Sequence, residues 1–218
     1  MHVVIFAGGT LQTGQAVRAA IANSDLVIAA DRGAATALHY GCTPAFVVGD
    51  FDSLADLPLQ QLQARGSHII RAAVEKDETD SELAIQLALE QGATTITLLG
   101  GLGGARFDHT MGNIMLLVGF EHIPIRIVDG PSTCWLLRGP GSTNIEGENG
   151  DLLSLLPLTG DVTGIQTQGL YYPLHGETLY FGKPRGVSNM LTDQLAEVSC
   201  EQGLLLLIHT AIHELKEE

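Results

Sequence analysis

Short, unbroken apolar runs alternate with segments of helical period through the first 130 residues, and the alternation then stops. Val3–Ala7, Leu26–Ala30, Phe46–Val48, Ser67–Arg71, Thr94–Leu99 and Ile125–Val128 read as strands. Apolar runs this short are those of a parallel sheet covered on both faces. Helices are predicted between them near Gln12–Ala22, near Ala34–Tyr40, over the Leu- and Gln-rich stretch ending at Arg65, from Thr79 to about Glu90, and up to about Phe120. Thr79 and Glu82 form a capping-box pattern, and Asp108 or Thr110 can cap the last of these helices. Asp129-Gly130-Pro131 breaks the pattern. Beyond it, Trp135–Leu137, Leu152–Leu156, Val162–Thr167, Leu179–Phe181, Ala196–Ser199 and Leu204–Ile208 alternate with Gly-, Pro- and Asp-rich turns, the spacing of an all-β sandwich or partial barrel. His209 and His213, at i and i+4, read as a polar helical face. The expected architecture is an α/β N-terminal domain over residues 1–130, built on an open and mainly parallel sheet, and an all-β domain over 131–218.

Composition narrows the function classes. Apolar residues make up 45% and charged residues 17% of 218 residues, the balance of a soluble globular protein with room for a real core. Eleven basic against 25 acidic side chains give a formal charge of −14, which argues against general nucleic-acid binding and is compatible with a cationic substrate. Cys42, Cys134 and Cys200 are odd in number and outside any CxxC pairing, so they read as reduced core cysteines. The apolar stretch at the N-terminus is too short for a secretion signal, and Leu204–Ile208 is too short to span a bilayer. No membrane association and a cytoplasmic location are expected.

The candidate chemistry sits where predicted strands end. Val47-Val48-Gly49 runs into Asp50 and Asp52, then Ser53. Two carboxylates this close repel unless a cation joins them, and hard oxygen ligands suit Mg²⁺ shared with substrate phosphates. An acidic surface turn explains the same residues equally well in isolation. Asp31 closes the second strand. Asp77 and Asp80 flank the start of the fourth helix. After the fifth strand, Gly100-Gly101-Leu102-Gly103-Gly104 leads into Arg106, Asp108 and His109, where close backbone approach and a planar guanidinium suit phosphate oxygens. His109 alone reads as a structural histidine. Gly9-x4-Gly14 is not a phosphate-binding P-loop, because Gln15-Ala16 stands where Lys and Ser/Thr are needed. Acid for a metal with amides and arginine for phosphate is the recipe for Mg²⁺-nucleotide chemistry.

Gly49-Asp50-Phe51-Asp52-Ser53, Lys76-Asp77-Glu78-Thr79-Asp80 and Gly101–His109 resemble the three acidic and glycine-rich segments of thiamine pyrophosphokinases. Gly169-Leu170-Tyr171-Tyr172 and Gly186-Val187-Ser188-Asn189 resemble the thiamine-side segment of that family. The resemblance implies a Rossmann-like first domain, a β-sandwich second domain, and a homodimer with thiamine bound between subunits. It implies transfer of the pyrophosphoryl group of ATP to the thiamine hydroxyl, with Asp50, Asp52, Asp77 and Asp80 holding Mg²⁺ and Arg106 offsetting charge. Asp31, Arg32, Gly33, Ser53, Lys76, Thr79, Gly101, Gly104, Asp108 and His109 fall to the nucleotide side. Tyr172, Ser188 and Asn189 fall to the thiamine side. Arg32 and Ala105 stand where the family usually has glycine, and the segment before Lys76 lacks an expected proline. Two rival functions share these residues: another Mg²⁺-dependent nucleotide phosphotransferase or hydrolase, and a non-catalytic nucleotide or thiamine sensor.

Overall fold

Val3, Val4, Ile5 and Phe6 are completely buried, as an apolar run with no solvent face requires. They form β1 (His2–Phe6) in a computed structural model that describes residues 1–51, 56–120 and 122–216. The chain divides into two compact units, Met1–Gly130 and Pro131–Glu218.

In the first unit β1 is followed by α1 (Gln15–Ala22), β2 (Leu26–Ala30), α2 (Gly33–His39), β3 (Phe46–Gly49), α3 (Asp56–Ala64), β4 (His68–Arg71), α4 (Asp80–Glu90), β5 (Thr95–Leu99), α5 (Phe107–Gly119) and β6 (Ile125–Asp129). The strands lie in the order β6-β5-β1-β2-β3-β4, and each neighbouring pair is parallel. The order reverses between β1 and β5. Phe6 lies opposite both Ala29 and Leu99 in register, so the loops after β1, β2 and β5 leave the same edge. Ligands of open α/β sheets bind beyond that edge, at the reversal.

Side chains alternate across a strand, and the core follows. Val4 and Phe6 join Val17 of α1, Ala34 and Ala37 of α2, and Leu59 and Leu62 of α3 in one apolar cluster. Ala84, Ile85 and Ala88 bury α4 against β1, β2 and β3 outside that cluster. β4 is largely exposed, as suits an edge strand. The first helix starts at Gln15 rather than Gln12, because the Gln12 amide donates to Asp129 and its carbonyl accepts from Gly130. Neither Asp108 nor Thr110 caps α5. The helix begins at Phe107, Asp108 lies in its first turn, and the Thr110 hydroxyl donates back to the Leu102 carbonyl.

The second unit holds β7 (Ser132–Arg138), β8 (Gly141–Glu146), β9 (Leu152–Pro157), β10 (Val162–Gln168), β11 (His175–Leu179), β12 (Asn189–Met190), β13 (Leu195–Cys200) and β14 (Leu204–Thr210). One antiparallel run is β12-β9-β14-β7 and the other is β11-β10-β13-β8. Leu153, Leu155, Leu205 and Leu207 from the first run pack with Ile145, Ile165 and Val198 from the second. β11 ends at Leu179, before Tyr180 and Phe181, which are exposed. His209 lies on β14 and not on a helix. Its ring and that of His213 both face the buried Asp151 carboxylate, His209 at 3.0 Å and His213 at 3.9 Å. Cys134 and Cys200 are buried and Cys42 is half-buried, each outside any disulfide. Burial pushes the Cys42 and Cys200 thiols up, away from reactivity. Among the described residues no helix is long and apolar enough to cross a membrane.

Candidate active site

The ends of β2 and β3 bring Asp31 and Asp50 to one edge of the sheet. Asp31 follows β2 with its backbone in the left-handed region, φ 44°, and donates its amide to the Val48 carbonyl of β3 at 2.9 Å. Gly49 permits this approach: a Cβ there would lie 3.2 Å from the Asp31 Cα. Asp50 follows, and Phe51 is again left-handed at φ 60°. The Arg71 guanidinium lies 5.4 Å from the Phe51 ring centre, which braces the turn by a cation–π contact.

Lys76 ties this turn to the next helix. Its Nζ is 3.0 Å from Asp80 Oδ1 and 3.7 Å from Asp50 Oδ2, and it donates to the Ala73 carbonyl. Burial pulls the ammonium down, but hydrogen bonding and charge from Asp80, then Asp50, outweigh it and raise its pKa. Asp80 is the first residue of α4, next to the Thr79 cap, whose hydroxyl accepts the Glu82 amide at 3.2 Å. A carboxylate there also gains from the positive end of the helix. Asp77 is exposed in the same loop. Asp52 and Ser53 lie outside the described residues.

The glycine turn after β5 forms a second group. The Asn113 amide donates to the Gly101 carbonyl at 2.9 Å, which fixes the turn on α5. Gly104 is exposed and left-handed. Arg106 points its guanidinium at Asp108, with Nη2 2.6 Å from Oδ2 and Nε 3.0 Å from Oδ1. These hydrogen bonds hold the Asp108 carboxyl down at about 2. His109 is exposed on the first turn of α5. Arg32 is exposed at the start of α2, and Gly33 lies buried behind it. Asp31 does not cap that helix with its side chain: the cap position is Arg32, and Asp31 contributes its carbonyl to the Ala34 amide.

On the second unit Asn189 is buried and spends its side chain on the backbone. Its Oδ1 accepts the amides of Tyr172 and Met190, and its Nδ2 donates to the Tyr172 carbonyl at 2.8 Å. Asn189 therefore positions Tyr172, whose ring is exposed and meets Tyr171 edge-on with centres 4.8 Å apart. Ser188 is exposed, left-handed at φ 57°, and donates its amide to the Ser154 hydroxyl. Asp31, Phe51 and Ser188 are the non-glycine residues with left-handed backbone among those described. Such strain concentrates at functional sites.

Asp129 is the polar residue the sequence pattern passed over. It is buried at the end of β6, where its Oδ1 accepts the Gln12 amide at 2.8 Å and its Oδ2 lies against Gly103, 3.0 Å from where a Cβ there would sit. Its signal was present: an acid directly after an apolar strand, as with Asp31 and Asp50. The following Gly-Pro made it read as a chain break.

Residues 17–128 match the family model for the thiamin pyrophosphokinase catalytic domain, and residues 142–205 match that for the thiamin pyrophosphokinase vitamin B1 binding domain. The chain is 34% identical over 190 residues to a thiamine pyrophosphokinase of Bacillus subtilis, covering 85% of this chain and 87% of that one. It is 27% identical over 176 residues to thiamin pyrophosphokinase 1 of Caenorhabditis elegans, covering 76% and 70%. The crystal structure of thiamine pyrophosphokinase from Bacillus subtilis superposes with a TM-score of 0.85 at 31% identity, over 97% of this chain and 99% of that one. That of a family protein from Enterococcus faecalis does so with 0.84 at 27% identity, over 96% and 99%. With both domain models matched in order, the N-terminal α/β domain and the β-rich C-terminal domain are those of the thiamine pyrophosphokinase family, and the chain belongs to it.

Proposed function

We propose that the first unit binds ATP and performs the transfer, that the second holds thiamine, and that the products are thiamine diphosphate and AMP. The family membership makes the chain a thiamine pyrophosphokinase, a transferase. The observation that carries the finer reading is Lys76, which draws Asp50, just after β3, and Asp80, the first residue of α4, around one positive charge. The finer description of the fold, a Rossmann-like nucleotide domain and a β-sandwich, belongs to the same reading.

Mg²⁺ fits this donor set. Asp50 and Asp80 are hard oxygen ligands already arranged about a cation, and Mg²⁺ is commonly held by one or two carboxylates with phosphate oxygens completing its shell. Among the described residues no group of three His, Cys, Asp or Glu side chains is close enough to hold a metal alone, so the polyphosphate would supply the rest. Asp50, Asp52, Asp77 and Asp80 would hold the ion. Bound there, the ion would neutralise charge on the polyphosphate.

The chain's own residues do the remaining work. The thiamine hydroxyl oxygen forms a bond to the β-phosphorus of ATP, the bond from that phosphorus to the α,β-bridging oxygen breaks, and AMP leaves with the bridging oxygen. The hydroxyl proton passes to a carboxylate of the acidic edge, a role this proposal gives to Asp80. Lys76 and Arg106 offset charge on the transferring group, since such transfer depends on placement and electrostatics. Asp31, Arg32, Gly33, Thr79, Gly101, Gly104, Asp108 and His109 line the nucleotide side. On the thiamine side, Tyr172 stacks on the cationic ring system, Ser188 offers its hydroxyl, and Asn189 fixes Tyr172. A homodimer and a cytoplasmic location complete the proposal.

The test is AMP release from ATP and Mg²⁺ with and without thiamine. AMP that appears only with thiamine supports the reading. ADP, free phosphate or no turnover would replace it with a hydrolase, an ordinary kinase or a sensor.

A further inference from the structure

The reaction above gives no role to the buried acid at the end of β6. Asp129 is 7% exposed. Its Oδ1 accepts the Gln12 amide of the β1–α1 turn, and its Oδ2 lies against Gly103 of the β5–α5 turn, 3.0 Å from where a Cβ there would sit. The next residue, Gly130, donates its amide to the Gln12 carbonyl at 3.2 Å, so Gln12 is held at both backbone groups. The two turns are in backbone contact. A Cβ on Gly103 would lie 2.2 Å from the Thr10 carbonyl oxygen, and one on Gly9 would lie 2.4 Å from the carbonyl oxygens of Gly100 and Gly103. These are the loops on either side of the strand-order reversal, where the crevice of an open α/β sheet forms. Burial raises the Asp129 pKa against the pull of the backbone amides around it, so the charge is held there at a desolvation cost that those donors offset.

We propose that Asp129 is a positioning residue for the polyphosphate: it latches the β1–α1 turn to the β5–α5 glycine turn and so fixes the backbone that faces the nucleotide. The inference rests on the ATP-binding reading of the first unit. It assigns Asp129 no contact with substrate. A hydrogen bond to a charged acceptor is worth more than a neutral one, so an amide in place of the carboxylate loosens the Gln12 contact.

The test is equilibrium binding of α,β-methylene-ATP, whose α,β bridge is not cleaved, with thiamine binding measured in parallel on the full chain. Asp129→Asn should weaken nucleotide binding by roughly tenfold or more while thiamine binding stays within about twofold. Gly103→Ala keeps the carboxylate but pushes the turns apart, and should show the same selective loss. A third measurement needs no variant: exchange of the Gln12 and Gly103 amides should slow when the analogue binds. Folded variants that hold the nucleotide as the wild type does, or that lose both ligands equally, would overturn the latch. So would unchanged amide exchange. Wild-type protein that binds no analogue at all sinks the nucleotide reading itself, and the latch with it.

Discussion

Lys76 and Arg106 are both cations held by aspartates at the head of a helix, yet they differ in nearly every physical respect. The Lys76 side chain is 13% exposed, and its partners Asp50 and Asp80 are 15% and 24% exposed. Arg106 and Asp108 are 69% and 63% exposed. Lys76 joins the end of β3 to the first turn of α4, across 30 positions of chain between Asp50 and Asp80. Arg106 joins only its near neighbour. A shielded pair that links separate elements shapes the edge of the sheet, whereas an exposed local pair contributes little to stability and is readily exchanged. One cation therefore belongs to the scaffold of the acidic edge. The other pairs locally and in the open, so its fork of donors can exchange a carboxylate for a phosphate, as the proposed function requires.

The largest expected effect comes from breaking the shielded group. Asp80→Asn removes a carboxylate that faces Lys76 and, in the proposed mechanism, the metal and the hydroxyl proton. Turnover should fall by roughly 100- to 1000-fold, and calorimetry should show weaker Mg²⁺ binding. Turnover within about tenfold of wild type would demote the acidic edge. Next comes Arg106→Ala. Loss of one preorganised donor should lower turnover by about 100-fold, yet thermal unfolding should stay where it was, because the pair is exposed. A large loss of stability in that variant would erase the distinction between the two cations.

Most of the α/β unit was legible in the sequence because a doubly covered parallel sheet writes itself as continuous apolar runs. Val3–Phe6 and Leu26–Ala30 left no other assignment, and acids placed directly after such runs led to Asp31 and Asp50. The antiparallel unit was less legible. β8, Gly-Ser-Thr-Asn-Ile-Glu, buries only Ile145 fully, so it carries no apolar signal of its own. β12 is two residues long and exists only through its pairing with β9. Tyr180 and Phe181 imitate a strand end but stand exposed in a turn closed by the Lys183 amide on the Tyr180 carbonyl. The spacing of His209 and His213 suggested a helix because the sequence hides β14's pairing with β7 and β9, which carries the strand through to Thr210. Asp129 was missed for a related reason: its importance lies in the turns it reaches, 117 positions away at Gln12. The Asn189 amide was likewise assigned to the ligand, and its three backbone bonds became visible only with Tyr172 beside it.

A neutral counterpart sharpens the contrast between the two cations. Asn189 is buried where Lys76 is half-buried, and it positions its neighbour without charge. Asn189→Ala should cost about 1–3 kcal/mol of stability, since the Tyr172 and Met190 backbone groups lose their partner. The thiamine KM should rise several-fold while the KM for ATP holds. An unchanged thiamine KM would leave Asn189 with a purely structural role.

The smallest effect is also the most direct reading of which cation is exchangeable. The Arg106 hydrogen bonds hold Asp108 at about 2 against an ordinary 3.8. A depressed carboxyl contributes its stabilisation above the ordinary value and loses it as pH falls through about 2. Both groups are largely exposed, so the consequence to measure is the titration itself and not unfolding. The Asp108 carboxyl, followed by NMR, should titrate near 2 in the wild type and return toward 3.8 in Arg106→Ala. Saturating α,β-methylene-ATP with Mg²⁺ should move it the same way in the wild type, because a guanidinium that turns to phosphate leaves Asp108 behind. If the nucleotide binds and Asp108 still titrates near 2, Arg106 keeps its carboxylate, and the charge offset assigned to it must come from Lys76.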